Sequence, residues 1–272
     1  LNTMSEERKT IYLCLAHMSE AGLEQKYVKE AFDTNWVVPM GPNVNAFEKD
    51  LEAFVNGRAA LRQGPGAVPV EADGTNGNVA SAGSATQLDG NVASTGSATQ
   101  LDRKVVCLSA GTAAVHLALI GCGVKAGDEV LVQSYTFCAS SHPITYLGAK
   151  PIFIGSEGET WNMDPVLLEK AIIDRKAKTG KYPKVIVPVA LYGMPYHIDK
   201  ILAIAEKYGI PVVEDAAEGM GSRFDGQVLG TFGKYGVLSF NGNKMITTSG
   251  GGALICRNAE DANEIMWYAT QA

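Results

Sequence analysis

Three short runs place anion-binding or reactive side chains directly behind apolar stretches of strand character. Val105–Leu108 is followed by Ser109-Ala110-Gly111-Thr112-Ala113, which opens an apolar helical run from Thr112 to Ile120. A helix start offers backbone N–H groups and a partial positive charge. Glycine lets an anion reach that backbone, and the Thr hydroxyl adds a donor, so the run suits a phosphate; Ser/Thr capping is the commoner use of such residues. Pro211–Val213 leads into Glu214-Asp215-Ala216-Ala217-Glu218. A buried carboxylate there could hold a protonated heterocyclic nitrogen as an ion pair, or cap a helix. Val237–Phe240 leads into Asn241-Gly242-Asn243-Lys244, then Thr247-Thr248-Ser249-Gly250-Gly251-Gly252. A lysine behind a buried strand can be desolvated, which favours the neutral amine that makes a Schiff base; a solvated surface lysine is the everyday alternative.

A phosphate-ready helix start, an aspartate and a lysine, each at a strand exit, are together the protein parts that pyridoxal phosphate requires: phosphate cradle, pyridinium partner and Schiff-base amine. Ser239, five residues before Lys244, could add a phosphate hydrogen bond.

The elements that must position these groups follow from hydrophobic patterning. Apolar, β-rich runs fall at Val105–Leu108, Glu129–Gln133, Pro151–Ile154, Val185–Ala190, Pro211–Glu214, Val237–Phe240 and Ala253–Cys256. Helices lie between several of them: Thr112 to Ile120, a helix opened by Asp164-Pro165 and stopped by Gly180, and one carrying Ile198, Ile201, Leu202 and Ala205 that ends at Gly209. Near-continuous apolar strands joined by helical crossovers predict an α/β fold, a mostly parallel sheet with helices on both faces. Such sheets bind ligands beyond the carboxyl ends of their strands.

Two other stretches precede this unit. Residues 1–58 hold an amphipathic segment, Leu23 to Phe32, an extended run Trp36 to Met40, a turn at Gly41-Pro42 and a short helix from Asn45 to Val55; they are expected to pack on the large domain of 104–272. Residues 59–103 have no aromatic side chain and write one 13-residue unit twice, GNVASAGSATQLD at 77–89 and GNVASTGSATQLD at 90–102. Two short copies cannot build a solenoid, and their low hydrophobicity reads as a surface insertion.

Composition narrows the classes. The 272 residues are 46% hydrophobic and 19% charged, enough to bury a real core. A net charge of −6 argues against a generic nucleic-acid or anionic-membrane binder. Cysteines 14, 107, 122, 138 and 256 are an odd, dispersed set without a CxxC pair, the usage of a reducing compartment. No apolar run approaches the roughly 18 residues of a membrane helix, and a cytoplasmic protein is expected. GQVLGTFGKY (226–235) lacks the glycine and the Ser/Thr of a P-loop, and no GxGxxG follows the first strand. His17, His116, His142 and His197 show no ligand spacing, so no metal site is expected, and His116 reads as a core or capping residue.

SAGTAAVHLAL (109–119), VEDAAEGMGS (213–222) and LSFNGNKMITTSGGGAL (238–254) resemble the DegT/DnrJ/EryC1/StrS family of sugar-nucleotide aminotransferases. IYLCLAHMS (11–19), NWVVPMGPNVNAFEKDL (35–51) and SYTFCAS (134–140) are similar to the branch acting on UDP-linked 4-keto-6-deoxy-N-acetylhexosamines, as in bacillosamine-type synthesis. The resemblance implies a fold-type-I, pyridoxal phosphate-dependent transferase large domain. Lys244 would carry the cofactor and shuttle protons, Asp215 would pair with its pyridinium nitrogen, and Glu218 would lie near its ring. Gly111, Thr112, Ala113 and Ser239 would hold its phosphate. Phe137 would stack on the ring, a plain core aromatic being the alternative.

The resemblance also implies glutamate as amino donor, a UDP-keto-sugar as acceptor and a homodimer with shared active sites. Family dehydratases carry histidine in place of this lysine, so Lys244 favours amino transfer. Three departures stand out. Ala190 sits where the family commonly has histidine, and the 59–103 insertion falls where relatives pass briefly from helix to strand. The chain also stops at Ala272, before the small C-terminal domain of relatives, which implies a fragment or a companion polypeptide. Two rival readings follow: a sugar dehydratase of the same fold, and an incomplete chain acting as an assembly partner. A nucleotide-binding module that does without the cofactor is a third.

Overall fold

A computed structural model describes residue 18, residues 20–57 and residues 101–271. Two N-terminal helices, α1 (Leu23–Asp33) and α2 (Pro42–Val55), precede a strand-and-helix unit. In chain order this unit runs β1 (Lys104–Leu108), α3 (Gly111–Gly121), β2 (Glu129–Gln133), α4 (His142–Tyr146), β3 (Lys150–Ile154), α5 (Pro165–Thr179), β4 (Val185–Val187), α6 (Ile198–Tyr208), β5 (Val213–Asp215), a hairpin of β6 (Arg223–Phe224) and β7 (Gln227–Val228), β8 (Tyr235–Ser239), β9 (Gly252–Cys256) and α7 (Ala259–Thr270).

The central layer has the order β3-β2-β4 alongside β5-β8-β9-β1. Parallel bridges Ile186↔Val212 and Val189↔Asp215 join the two parts across β4 and β5. Pairings β2–β3, β2–β4 and β5–β8 are parallel, whereas β9 runs against both β8 and β1. The expected parallel sheet therefore carries one reversed strand. Gly250-Gly251-Gly252 returns the chain beside β8 without a crossover helix, which forces the antiparallel sense.

Alternation along each strand divides the core into two layers. Leu131, Ile186, Val212, Leu238 and Ile255 face one cluster with Leu51 and Val55 of α2, Leu168 and Ile172 of α5, and Ile198 and Ile201 of α6. Val130, Val132, Val187, Val213, Val237 and Leu254 face the other, against Ala114, Ala118 and Leu119 of α3 and Ala262 and Ile265 of α7. Burial on both sides explains the near-continuous apolar strands, at about 1.5–3 kcal/mol per fully buried aliphatic side chain. The architecture is α/β with helices on both faces.

Local signals act as expected at several boundaries. Asp164 accepts from the N–H groups of Val166 and Leu167, Pro165 takes the first helical position, and Gly180 and Gly209 close α5 and α6 in the left-handed region. Helix α2 begins at Pro42, so the expected turn there is the helix start. The apolar run at 185–190 is strand only to Val187, because Pro188 has no N–H to continue a ladder. Helix α1 buries none of its residues, and Tyr27, Val28 and Phe32 are exposed.

The edge strand β1 is covered by α2. Glu52 accepts from the Val105 N–H at 3.2 Å and Glu48 from the Cys107 N–H at 2.9 Å, which satisfies donors that an open edge would leave to another chain. Asn56 donates to the Arg103 carbonyl at 2.9 Å and accepts from the Arg103 N–H at 2.7 Å, so the chain leaves α2 and returns to β1 at one point. The duplicated unit itself, 77–102, lies outside the described residues but for its last two. Excising one copy, residues 77–89, changes the loop-closure term by only about 0.3 kcal/mol and is expected to leave Tm within about 1 °C. A thermal melt showing a fall of more than about 5 °C would mean that the copy contributes to the core.

Candidate active site

The carboxyl ends of β1, β2, β4, β5 and β8 open into one cavity of about 580 Å³. It is lined by Ser109, Gly111 and Thr112 behind β1, and by Tyr135, Thr136, Phe137 and Ser140 behind β2. Tyr192 follows β4, Asp215 and Glu218 follow β5, and Ser239, Asn243 and Lys244 follow β8. Runs far apart in the sequence are thereby brought together. Of the expected site residues, Gly111, Thr112, Phe137, Asp215, Glu218, Ser239 and Lys244 line the cavity; Ala113 sits one residue further into α3 and does not.

The anion-binding end is built by close backbone packing. Helix α3 starts behind the extended Ala110, which has no polar side chain to cap it, so capping does not explain the Ser/Thr-rich run. A Cβ at Gly111 would lie 2.9 Å from Ser239 Cβ, and one at Gly252 would meet the Ala110–Gly111 backbone at 2.4 Å. Both glycines are needed for the helix start, Ser239 and β9 to converge. The result is a cradle of helix N-terminus and hydroxyls suited to a phosphate dianion.

Asp215 is 5% exposed at the end of β5. Its Oδ2 accepts from Ser140 Oγ at 2.6 Å and its Oδ1 from the Ala217 N–H at 3.2 Å. Burial pushes this carboxyl above its ordinary range, against the opposing effect of the Ser140 hydroxyl, the Ala217 N–H and the nearby Lys244 charge; Glu218 adds to the rise. A buried carboxylate held for want of a full cationic partner fits a protonated ring nitrogen.

Lys244 has a side chain only 12% exposed, and its Nζ lies 3.1 Å from Glu218 Oε1. The other Glu218 oxygen accepts from the Tyr192 N–H at 2.8 Å. Tyr192 is left-handed, with φ 52° and ψ 27°, a conformation costing a non-glycine residue about 1–3 kcal/mol. Glu218 thus joins the lysine to a strained turn whose aromatic side chain stands at the mouth, 75% exposed. Phe137 also stands at the mouth, 73% exposed, so it is no core aromatic.

Behind the mouth, a buried amide network sets the loops. Gln133 donates to the Tyr135 carbonyl and to Asn162 Oδ1, and accepts from the Met163 N–H at 2.8 Å. Asn162 accepts from the Leu191 N–H at 3.0 Å and donates to the Met194 carbonyl at 3.1 Å. Glu214, adjacent to Asp215, turns the other way: it accepts from the N–H groups of Gly230, Phe232 and Gly233, and burial raises its pKa. It clamps the loop that precedes β8. Sequence reading gave roles to Asp215 and Glu218, with Glu214 beside them in the same run, and missed Ser140, Thr136, Tyr192 and the Gln133–Asn162 pair. The alternation of inward and outward positions at the end of β5 is the signal that separates Glu214 from Asp215.

Outside the cavity, Glu157, Glu159 and His197 bring their donor atoms within 4.8 Å of one another, a grouping that sequence spacing does not show. Glu157 is already engaged. Burial opposes ionisation, yet the Thr160 hydroxyl and the N–H groups of Glu159, Thr160 and Asn162 bring its pKa down to about 2. His116 packs edge-on against Tyr146 at 5.7 Å on α3. Among the described residues, Cys107, Cys122, Cys138 and Cys256 are unpaired, and no helix is long and apolar enough to cross a membrane. Cys14 lies outside the described residues.

A fold of this kind with this cavity is that of a fold-type-I α/β transferase. Residues 97–271 match the DegT/DnrJ/EryC1/StrS aminotransferase family, and the chain belongs to that family. It is 41% identical over 264 residues to a putative pyridoxal phosphate-dependent aminotransferase, EpsN, of Bacillus subtilis (strain 168), covering 97% of this chain and 56% of that protein. It is 42% identical over 148 residues to GDP-perosamine synthase of Escherichia coli O157:H7, covering 54% and 39%. Among solved structures, NtdA of Bacillus subtilis with bound cofactor PMP superposes with a TM-score of 0.68 at 25% identity, covering 92% of this chain and 45% of that one. The chain thus spans about half the length of the curated relatives it matches.

Proposed function

We propose that the chain is the pyridoxal phosphate-binding part of a sugar-nucleotide aminotransferase that moves an amino group from glutamate to a UDP-linked 4-keto-6-deoxy sugar. The observation that carries this reading is the placing of Lys244 and Asp215, both shielded from water, in one cavity beside the cradle of Gly111, Thr112 and Ser239. Ala113 contributes to the cradle only through the first turn of α3. The names of EpsN and GDP-perosamine synthase support the cofactor and the sugar-nucleotide class; UDP rather than GDP rests on the likeness of residues 11–19, 35–51 and 134–140.

Bound in this cavity, the cofactor supplies an electron sink for the carbon that loses a proton. The chain's own residues do the rest. Asp215 would pair with the ring nitrogen and favour its protonated form, α3 and Ser239 would hold the phosphate, and Phe137 would lie against the ring. Lys244 Nζ takes the proton from the donor's amine-bearing carbon and hands it on, and in the second half returns one to the sugar carbon. Glu218 keeps Nζ oriented while the lysine is free.

A homodimer in the cytoplasm fits this reading. Phe137 and Tyr192 at the mouth, and Tyr27, Val28, Phe32 and Trp36 on the N-terminal segment, are exposed apolar side chains of the kind a subunit contact covers; the four described cysteines are unpaired, which suits a reducing compartment. The test is incubation of the chain with pyridoxal phosphate, glutamate and either a UDP- or a GDP-linked 4-keto-6-deoxyhexose. One 2-oxoglutarate per amino sugar, with the UDP substrate preferred, is expected. A deoxygenated sugar formed without 2-oxoglutarate would overturn amino transfer in favour of dehydration.

A further inference from the structure

Asp215 is held by a two-hydroxyl relay from the β2 loop that nothing in its own motif announces. Ser140 is 1% exposed, and its Oγ lies 2.6 Å from Asp215 Oδ2. Thr136 Oγ1 lies 2.8 Å from Ser140 Oγ. A serine hydroxyl has one proton. With Asp215 ionised, that proton must lie along the bond to Oδ2, and Thr136 must then donate to Ser140. The direction of both bonds is set by the charge at their end. Because the Ala217 N–H occupies Oδ1, the two carboxylate oxygens have different donors, which fixes the plane of the carboxyl group.

We infer that Ser140, oriented by Thr136, is a positioning residue that keeps Asp215 ionised and aimed, and so decides whether the cofactor's ring nitrogen or Asp215 holds their shared proton. This rests on the cofactor reading of the cavity. No proton travels along the relay; its two hydroxyl protons stay on their oxygens and only their hydrogen bonds change. The other charges facing Asp215 are Lys244, which favours the carboxylate, and Glu218, which opposes it. A short bond donated to a buried charge is among the stronger neutral-donor contacts, and its loss is commonly a tenfold to hundredfold effect, about 1.4–2.8 kcal/mol.

The experiment uses the chain loaded with ¹⁵N-labelled pyridoxal phosphate. The ring-nitrogen chemical shift is followed from pH 6 to 9 in wild type, Ser140→Ala, Ser140→Thr and Thr136→Val, together with the cofactor dissociation constant. Wild type is expected to hold the nitrogen protonated across the range. Ser140→Ala is expected to move it toward the unprotonated shift and weaken cofactor binding about 10–100-fold. Ser140→Thr, which keeps the hydroxyl, is expected to restore both. Thr136→Val, at a half-buried position, is expected to give a smaller change of the same sign, and it decides the matter if Ser140→Ala does not fold. A protonated nitrogen and unchanged affinity in Ser140→Ala, or in Thr136→Val where only that variant folds, would overturn the relay alone. A wild-type chain that takes up no cofactor would overturn the reading of the cavity as well.

Discussion

Replacing Lys244 with alanine is expected to lower amino transfer by about 10⁴-fold or more, since one side chain supplies both the nucleophile and the acid–base group. The loss should not come from disturbed folding. Lys244 lies in an exposed-turn segment, its ion pair is to Glu218, and Glu218 keeps its bond from the Tyr192 N–H. Lys244→Arg sharpens the prediction. Arginine preserves a cation for Glu218 but stays protonated and makes no Schiff base, so it should be as inactive as alanine. Steady-state assays of both variants, beside circular dichroism, check this. Activity within tenfold of wild type in Lys244→Arg would mean that position 244 works only as a charge.

Asp215→Asn is expected to have two opposite effects. Turnover and cofactor affinity should fall by roughly 10²–10⁴-fold, because the buried partner of a cationic ring is removed and asparagine cannot neutralise it. The cofactor-free chain should become more stable at neutral pH. Burial raises the folded-state pKa of Asp215 above its ordinary value, so the folded chain binds this proton more readily than the unfolded one. The associated stability is fully present below the ordinary aspartate range and is lost as pH rises through the raised value. At pH 7–8 the carboxylate is therefore a burden that the asparagine variant would lack, with Tm rising about 2–4 °C for each kcal/mol relieved. Toward pH 4 the advantage should vanish. Melts of the cofactor-free proteins at pH 4 and pH 8 check the sign; a lower Tm for the asparagine variant at pH 8 would show that Asp215 is not strained by burial.

Much of this site can be seen in the sequence because strand exits are visible there. The runs behind Leu108, Val213 and Phe240 name Gly111, Asp215 and Lys244 without coordinates, and a largely parallel sheet dictates that they meet at its carboxyl edge. Ser140 is different. Its partner is 75 positions away, and a serine in a loop looks like any other until the 3-10 turn Cys138–Ser140 swings it under Asp215. Glu214 shows the converse: adjacent carboxylates look alike in sequence, yet alternation along β5 sends one to the cavity and the other to backbone N–H groups. The reversal of β9 hangs on a helix-free loop, 240–251, that brings Gly252 back opposite Ser239, and periodicity does not register it. The short β6–β7 hairpin has two residues per strand, fewer than any period-two pattern can reveal. Helix α1 has helical periodicity but buries none of its residues, so its pattern alone could not tell where it packs.

The central claim is that the amine of Lys244 is the group that captures the cofactor. Reducing the pyridoxal phosphate-loaded chain with borohydride and mapping the modified peptide by mass spectrometry tests it most directly. The account predicts a single phosphopyridoxyl group on Lys244 in the peptide around Asn243-Lys244-Met245. A label on any other lysine, or a chain left unmodified after saturating cofactor, would contradict it.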